Sequence, residues 1–233
     1  MGASGGWVEI GDKVFVRRYA FYDQNIGVVL GRAEALVIDT RSTYAQAREI
    51  QADLHELNER IDETVIAEVS AGGPAEVDQA VEAATTAFQT WKRTSREERA
   101  KLLHRIADII ESRVETLAQV ETRDNGSLLR SHRRGVMPRV ALNFRFFADW
   151  LLQLDHADFD VRGHRNHLSW DPSGVAAIIT PWNAPLMLGT WRIAPALAAG
   201  CTVVYKPPEW APLTASLLAD ITAEAGLPHS VFN

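Results

Sequence analysis

The sequence predicts an α/β protein built on a partial parallel sheet with flanking helices. Two observations carry that prediction. The apolar runs at 175–180 and 202–206 have no polar face, as strands buried on both sides do. Each is followed through a short turn by a helical pattern, at 184–199 and 212–225, which is the βαβα alternation of a parallel sheet. A further β-type start, "SVF", follows at 230–232.

Taken in chain order, the first sixty residues have another texture. The short β-type runs "WVEI", "KVFVRR", "NIGVVL" and "ALVIDT" are separated by the turn signals "GD" and "GRAE". Residues 42–60 then place Ala45, Ile50, Leu54 and Leu57 near helical spacing, with Ser42 as N-cap, so a short β-β-β-α segment precedes the main sheet. A brief β-type run, "TVIAEV", occupies 64–69. Pro74 opens a helix whose stripe of Val77, Ala80, Val81, Ala84, Phe88 and Trp91 is expected to face a core. The next helix begins with the capping box Ser95-x-x-Glu98 and carries Leu102, Leu103, Ile106, Ile109, Ile110 and Leu117 on one face to its stop near Gly126. A third, rich in Phe and Trp, runs from about Val136 to Leu154, and two β-type pieces fill 159–170.

Composition narrows the function classes. With 46% apolar residues among 233, the chain can bury a substantial core. A net charge of −6 gives no pull toward nucleic acid or anionic membranes. The single cysteine, Cys201, allows no internal disulfide and no cysteine-based metal cluster, and a reducing cytoplasm is expected. The N-terminus has no basic stretch followed by an apolar one, so no secretory signal is read there. The long apolar region 174–205 contains Pro181, Asn183, Pro185, Arg192 and Pro195, which suits a buried core better than a bilayer span.

Candidate chemistry lies in the turns "TPWN" (180–183) and "KPPE" (206–209), each at the carboxyl end of a predicted strand, where open parallel sheets bind ligands. Asn183 offers two amide N–H donors suited to an oxygen that gains negative charge during reaction. Lys206 and Glu209 can together hold a cis-diol, the ammonium donating and the carboxylate accepting.

On these residues the run "GVAAIITPWNAPLMLGTWRIAPALAAGCTVVYKPPEWAPLTASLLADITAEAGLPHSVFN" resembles the cofactor-binding half of the aldehyde dehydrogenase superfamily. "IAEVSAGGPAEVDQAVEAATTAFQTW", "ETRDNG" and "RVALNFRFFADW" extend the resemblance over 61–233, and "TPWNAPLMLGTW" with "EWAPLTA" is most similar to hydroxymuconic semialdehyde dehydrogenases of aromatic catabolism. The resemblance implies a partial Rossmann-like sheet, NAD as cofactor and an aldehyde or semialdehyde as substrate. It implies that Asn183 is an oxyanion-hole amide, that Ile179, Thr180, Pro181 and Trp182 line the cofactor cleft, and that Lys206 and Glu209 hold the adenosine ribose, with Pro208 where the family has a small residue. A carboxylate beside the 2′-hydroxyl favours NAD over the phosphorylated cofactor. Arg192 stands where the family commonly has lysine. Segment 155–173 corresponds to the family's oligomer contacts, so self-association or pairing with a longer dehydrogenase is expected.

The same resemblance puts the nucleophilic cysteine, the general-base glutamate and the glycine-bearing pyrophosphate turn beyond residue 233. Cys201 aligns with the start of a strand and is expected to be a buried structural thiol. The chain alone is therefore expected to be inactive, as a fusion or a truncated reading frame would be. Residues 7–58 resemble the opening of metallo-β-lactamase-fold hydrolases, "VIDT" included, without the His-x-His-x-Asp-His metal motif. The alternatives are a remnant of such a hydrolase or a non-catalytic subunit. His164 and His167 are expected to be solvated loop residues with no metal, and "RSHRRG" at 130–135 a solvated helix edge.

Overall fold

Antiparallel pairing organises the beginning of the chain and parallel pairing the end. The computed structural model describes residues 8–12, 14–19, 24–30, 35–38 and 66–233. Two units meet in sequence between Val65 and Ile66.

The first unit contains a four-stranded antiparallel sheet in the order β1-β2-β3-β4, comprising β1 (Val8–Gly11), β2 (Val14–Tyr19), β3 (Gln24–Leu30) and β4 (Ala35–Ile38). Its register pairs Val16 with Gly27 and Val28 with Val37. The helix expected over 42–60 lies outside the described residues.

In the second unit residues 66–69, the described part of the β-type run expected over 64–69, form no strand. Their side chains are exposed, and no neighbouring strand supplies the ladder that would hold them. Helix α1 (Pro74–Trp91) follows. Only the C-terminal half of its apolar stripe is covered: Ala84 and Trp91 are buried, whereas Val77 is 52% and Val81 42% exposed. The expectation that the whole stripe faces a core is corrected, because α1 packs on the sheet only through its later turns.

Helix α2 (Arg96–Ser112) begins with the predicted capping box: Ser95 Oγ accepts the Glu98 N–H at 3.2 Å, and Glu98 Oε2 accepts the Ser95 N–H at 3.3 Å. Such caps contribute about 1 kcal/mol. The predicted single helix to Gly126 is in fact broken at Arg113, whose φ of −112° and ψ of 15° leave the helical region, and α3 (Val114–Asn125) starts anew. Ser112 Oγ donates back to the Ile109 carbonyl at 2.7 Å, a local bond that competes with helix continuation. A short helical turn (Leu129–Ser131) and a π-helical turn (His132–Val136) lead into α4 (Met137–Leu152). Strands β5 (Ala157–Val161) and β6 (His164–Leu168) form a hairpin joined by Arg162 and Gly163, both at positive φ, as a two-residue turn requires.

The parallel layer consists of β7 (Val175–Ile179) and β8 (Thr202–Lys206), with α5 (Pro185–Ala198) between them in sequence and α6 (Leu213–Glu224) after. Val203 also pairs in parallel with Phe232, where the third strand start was expected. The layer is covered on both faces. Thr202 Oγ1 donates to the Ala84 carbonyl of α1 at 3.0 Å, while Tyr205 packs its phenol against Gly189 of α5 from the opposite side. Beyond α5 the core continues through Leu103, Ile106 and Ile110 of α2 and Phe144 and Ala148 of α4.

The far end of α5 is closed by Arg99, whose buried guanidinium donates Nε–H to the Ala198 carbonyl at 2.9 Å. Gly200 lies against that group at φ +87°, and a Cβ there would sit 2.8 Å from Pro172 Cγ. Gly200→Ala is therefore expected to lower stability by roughly 1 to 3 kcal/mol. Gly126→Ala, at φ +75° but in open space, should cost less. Urea titrations of the two variants check the order, and equal losses would refute the steric account.

Candidate functional site

The two candidate turns are brought together by strand register. In the β7–β8 ladder Ile179 lies opposite Lys206, so the turns that leave these strands start side by side. Thr180 is buried and its Oγ1 lies 2.8 Å from the Tyr205 phenol, which also donates to the Pro185 carbonyl at 3.3 Å. That bond pair ties the first residue after β7 to the first turn of α5. Gly189 makes it possible, because a Cβ there would come within 2.8 Å of the phenol oxygen.

Pro181, Trp182 and Asn183 project outward and are exposed, and Ile179 at the strand tip is 74% exposed. Across the gap Lys206 Nζ pairs with Glu209 Oε1 at 2.7 Å, both side chains being largely exposed. The lysine hydrogen bond holds the Glu209 carboxyl below its ordinary range. Pro208 is buried beneath the turn. The turns touch through their tryptophans, with Trp182 and Trp210 centroids 6.4 Å apart. The edge thus presents an exposed apolar strand tip flanked by an ammonium, a carboxylate and an amide, donors and acceptors side by side.

Cys201 is buried at the opposite end of β8 from Lys206, and five steps of extended chain separate the two by roughly 16 Å. It cannot reach a group held by Asn183. His164 and His167 sit on β6 rather than in a loop; three residues apart on a strand, they face opposite sides, and His167 Nδ1 is engaged by Asp158 at 2.6 Å.

The segment "RSHRRG" also differs from expectation. Its His132 is buried in the π-helical turn, and Arg133 is ion-paired with Glu115, so only part of the run is a solvated edge. His132 Nδ1 faces Glu121 Oε1 at 3.8 Å, too far for a hydrogen bond. Glu121 is 0% exposed, an acid in the apolar row of Leu117 and Ala118. Its Oε2 accepts the Thr214 hydroxyl at 2.9 Å. Sequence reasoning missed this residue, although an acid four positions after Leu117 on the buried face was the available signal.

A concavity of about 710 Å³ is lined by Arg130, Arg134, Arg139, Met187 and Trp191. None of the three arginines forms an ion pair among the described residues. Met187 and Trp191, four residues apart on α5, form the α5 side of the concavity. Arg192 turns back onto its own helix, donating to the Leu188 carbonyl at 3.1 Å.

A parallel layer between helices, with two polar turns meeting at its carboxyl edge, defines a ligand-binding α/β protein. Residues 47–233 match the aldehyde dehydrogenase family, and the chain belongs to that family. It is 40% identical over 170 residues to 5-carboxymethyl-2-hydroxymuconate semialdehyde dehydrogenase of Escherichia coli, covering 72% of this chain and 36% of that protein. It is 44% identical over 177 residues to 2-hydroxymuconic semialdehyde dehydrogenase of Pseudomonas sp. (strain CF600), covering 72% and 36%. The solved structure of PnpE in complex with nicotinamide adenine dinucleotide superposes with a TM-score of 0.71 at 39% identity, over 74% of this chain and 36% of that one. The chain thus spans about a third of the length of these relatives.

Burial raises the Glu121 carboxyl to about 7, from an ordinary value of 4.5. Between those values the folded chain keeps a proton that the unfolded chain has released. The contribution of Glu121 to stability is therefore full below about 4.5, falls as pH rises, and levels off above about 7. Burial lowers the His132 value, which acts in the opposite sense just below 6.5. Glu121→Gln should remove the Glu121 share, so that wild type minus variant falls by on the order of 3 kcal/mol between pH 4.5 and 7. Urea titrations across that range check it, and a difference independent of pH would refute it.

Proposed function

We propose that this chain supplies the cofactor-binding turns and the oxyanion amide of an NAD-dependent aldehyde dehydrogenase acting on a semialdehyde that carries a carboxylate. The observation that carries the reading is the Ile179–Lys206 register, which sets Asn183 and the Lys206–Glu209 pair on one edge of the sheet. The relatives named above, which are semialdehyde dehydrogenases, support the substrate class. So does a concavity against α5 lined by Arg130, Arg134 and Arg139, none of them ion-paired among the described residues.

In this reading Lys206 donates to, and Glu209 accepts from, the adjacent hydroxyls of the adenosine ribose, opening their mutual ion pair to do so. The Glu209 carboxylate repels a 2′-phosphate. Ile179 and Trp182 give the cofactor an apolar floor and shield it from water. NAD, when bound, supplies the hydride acceptor. Asn183 donates its amide N–H to the aldehyde oxygen as negative charge develops there. The attacking thiolate is not Cys201, which is buried at the wrong end of β8, and no other cysteine exists in this sequence. The chain by itself is accordingly inactive in aldehyde oxidation.

Two further parts of the reading concern its surroundings. Phe159, Val161, Leu168 and Trp170 of the β5–β6 region are exposed, which favours association with another copy or with a longer dehydrogenase. The β1-β2-β3-β4 meander is the support for a hydrolase-type opening segment, one without a zinc motif, and a single free thiol suits a reducing cytoplasm. Among the described residues no helix is long and apolar enough to cross a membrane.

Calorimetric titration tests the reading. NAD should bind the purified chain more tightly than NADP, and Glu209→Gln or Lys206→Ala should weaken NAD binding about tenfold, the worth of one charge-assisted hydrogen bond. The chain with NAD and 2-hydroxymuconic semialdehyde should release no NADH above the protein-free rate. Absence of NAD binding, or NADH formation that depends on the chain, would overturn the corresponding half of the proposal.

A further inference from the structure

A second cavity lies away from the sheet-edge turns, at the other end of α5. It holds about 560 Å³ and is bounded by the start of α2, the end of α4, the last turn of α5 and the chain on either side of the β5–β6 hairpin. Helix α5 is 14 residues long, which puts the cavity roughly 20 Å from the Asn183 turn. Its volume is in the ordinary range of a small-molecule site.

Its wall carries positive charge that no described acid neutralises. Lys92, Arg96 and Arg99 line it, and among the described residues none of them is ion-paired. Arg99 is 6% exposed, and its guanidinium donates to neutral acceptors, the Ala198 carbonyl at 2.9 Å and the Thr94 carbonyl. Arg96 donates to the Leu154 carbonyl and approaches His156 Nε2 at 3.5 Å. Carbonyls satisfy N–H groups but leave the charge uncompensated, and a charge withdrawn from water is costly without an opposite one. Burial, and then the charge of Arg96, lower the Arg99 value, in accord with two cations that lack an anion between them. Asp171, the acid on the wall, engages the Ser169 hydroxyl at 3.0 Å instead.

Donors are in surplus as well. His156 Nδ1 faces the Trp170 N–H at 3.4 Å while its Nε2 faces Arg96, and a neutral imidazole accepts at one ring nitrogen only. The rest of the wall is apolar and aromatic: Trp150 and Trp170 are 45% and 47% exposed, Phe147 is half-buried and Leu151 is buried. A cation cluster without a counter-ion beside exposed aromatic faces is complementary to a flat ring that bears a carboxylate.

We propose that this cavity is a second ligand site, one that binds an aromatic carboxylate. The carboxylate takes N–H donors from Lys92 and Arg96 and offsets the charge of Arg99, and the ring lies on Trp150 and Trp170. The site stands apart from the nucleotide-binding reading, since it shares no residue with the two turns or with the concavity of Arg130, Arg134 and Arg139.

The probe is 2-naphthoate, added to the whole chain labelled with 5-fluorotryptophan, with Trp150→Phe, Trp170→Phe and Trp191→Phe assigning the resonances. It should shift Trp150 and Trp170 with a common Kd of roughly 0.1 to 1 mM. Trp191, which lines the other concavity, should stay in place. The uncharged 2-naphthalenemethanol and the ringless inorganic phosphate should each bind about tenfold more weakly or worse. Arg96→Gln and Lys92→Gln should each weaken 2-naphthoate by about tenfold, with the resonance of buried Trp91 unmoved as the sign of an intact fold.

Unmoved Trp150 and Trp170 resonances overturn the proposal, and a shift of Trp191 alone assigns the ligand to the other concavity and overturns it too. Equal affinity for 2-naphthalenemethanol would make the cavity a plain apolar patch, and equal affinity for phosphate a general anion site; either result is a refutation. If Arg96→Gln displaces Trp91, Lys92→Gln decides alone, because the Lys92 ammonium rests over the Phe88 ring at 5.1 Å and holds no backbone group among the described residues. Unchanged affinity in that variant then sinks the site.

Discussion

The parallel ladder between β7 and β8 is the constraint on which the rest depends. A slip of one residue would turn every side chain of β8 to the other face of the layer. Thr202 would lose its bond to the Ala84 carbonyl, and the Tyr205 phenol would leave the notch above Gly189. These contacts lie on opposite faces of β8 and specify one register, the one that sets Lys206 beside Ile179. The site is therefore a by-product of core packing at the middle of the strands, delivered to their tips by a backbone of fixed rise.

Much of this was legible before any coordinates. The strands at 175–179 and 202–206 and the helices after them follow from apolar runs punctuated by Pro181, Pro185, Gly200 and Pro212, residues whose backbone preferences are local. The Ser95–Glu98 box is read for the same reason. What failed is instructive. Periodicity showed that Val77 and Val81 share a stripe with Trp91, but a stripe says which face is apolar and not whether a neighbour covers it. His132 was assigned to solvent because charge patterning counts neighbours in sequence, whereas its burial depends on a π-helical turn that rotates it away from Arg133 and Arg134. The candidate site residues could be named from turn chemistry and family resemblance, and their proximity follows from the ladder. Glu121 and Asp124 could not be given a role, because their partners lie 89 or more residues away for Leu213 and Thr214.

The polar groups of this unit divide by burial into two kinds with different physics. Lys206, Glu209, Asn183 and the arginines beside α5 are exposed, so their charges are screened and cheap to hold, and they can exchange water or one another for a ligand. Glu121, Thr214 and Thr180 are buried, and there a missing partner costs the desolvation of the group that loses it. Exposed groups are adjustable and buried ones are not. The groups free to meet a ligand accordingly sit on the outer ends of the turns, and the packed polar contacts on the inner ends.

That division also explains why an acid is tolerated at position 121. A leucine in its place would leave the Thr214 hydroxyl without its acceptor at the start of α6. The carboxyl avoids the cost of a buried charge by holding its proton over most of the acid range, where it still offers an oxygen lone pair to the Thr214 hydroxyl. Its other oxygen faces His132, whose charged form burial disfavours. A neutral acid is thus sufficient to accept the Thr214 hydroxyl, whereas the ionised Lys206 and Glu209 stay at the surface, where a ligand can meet them.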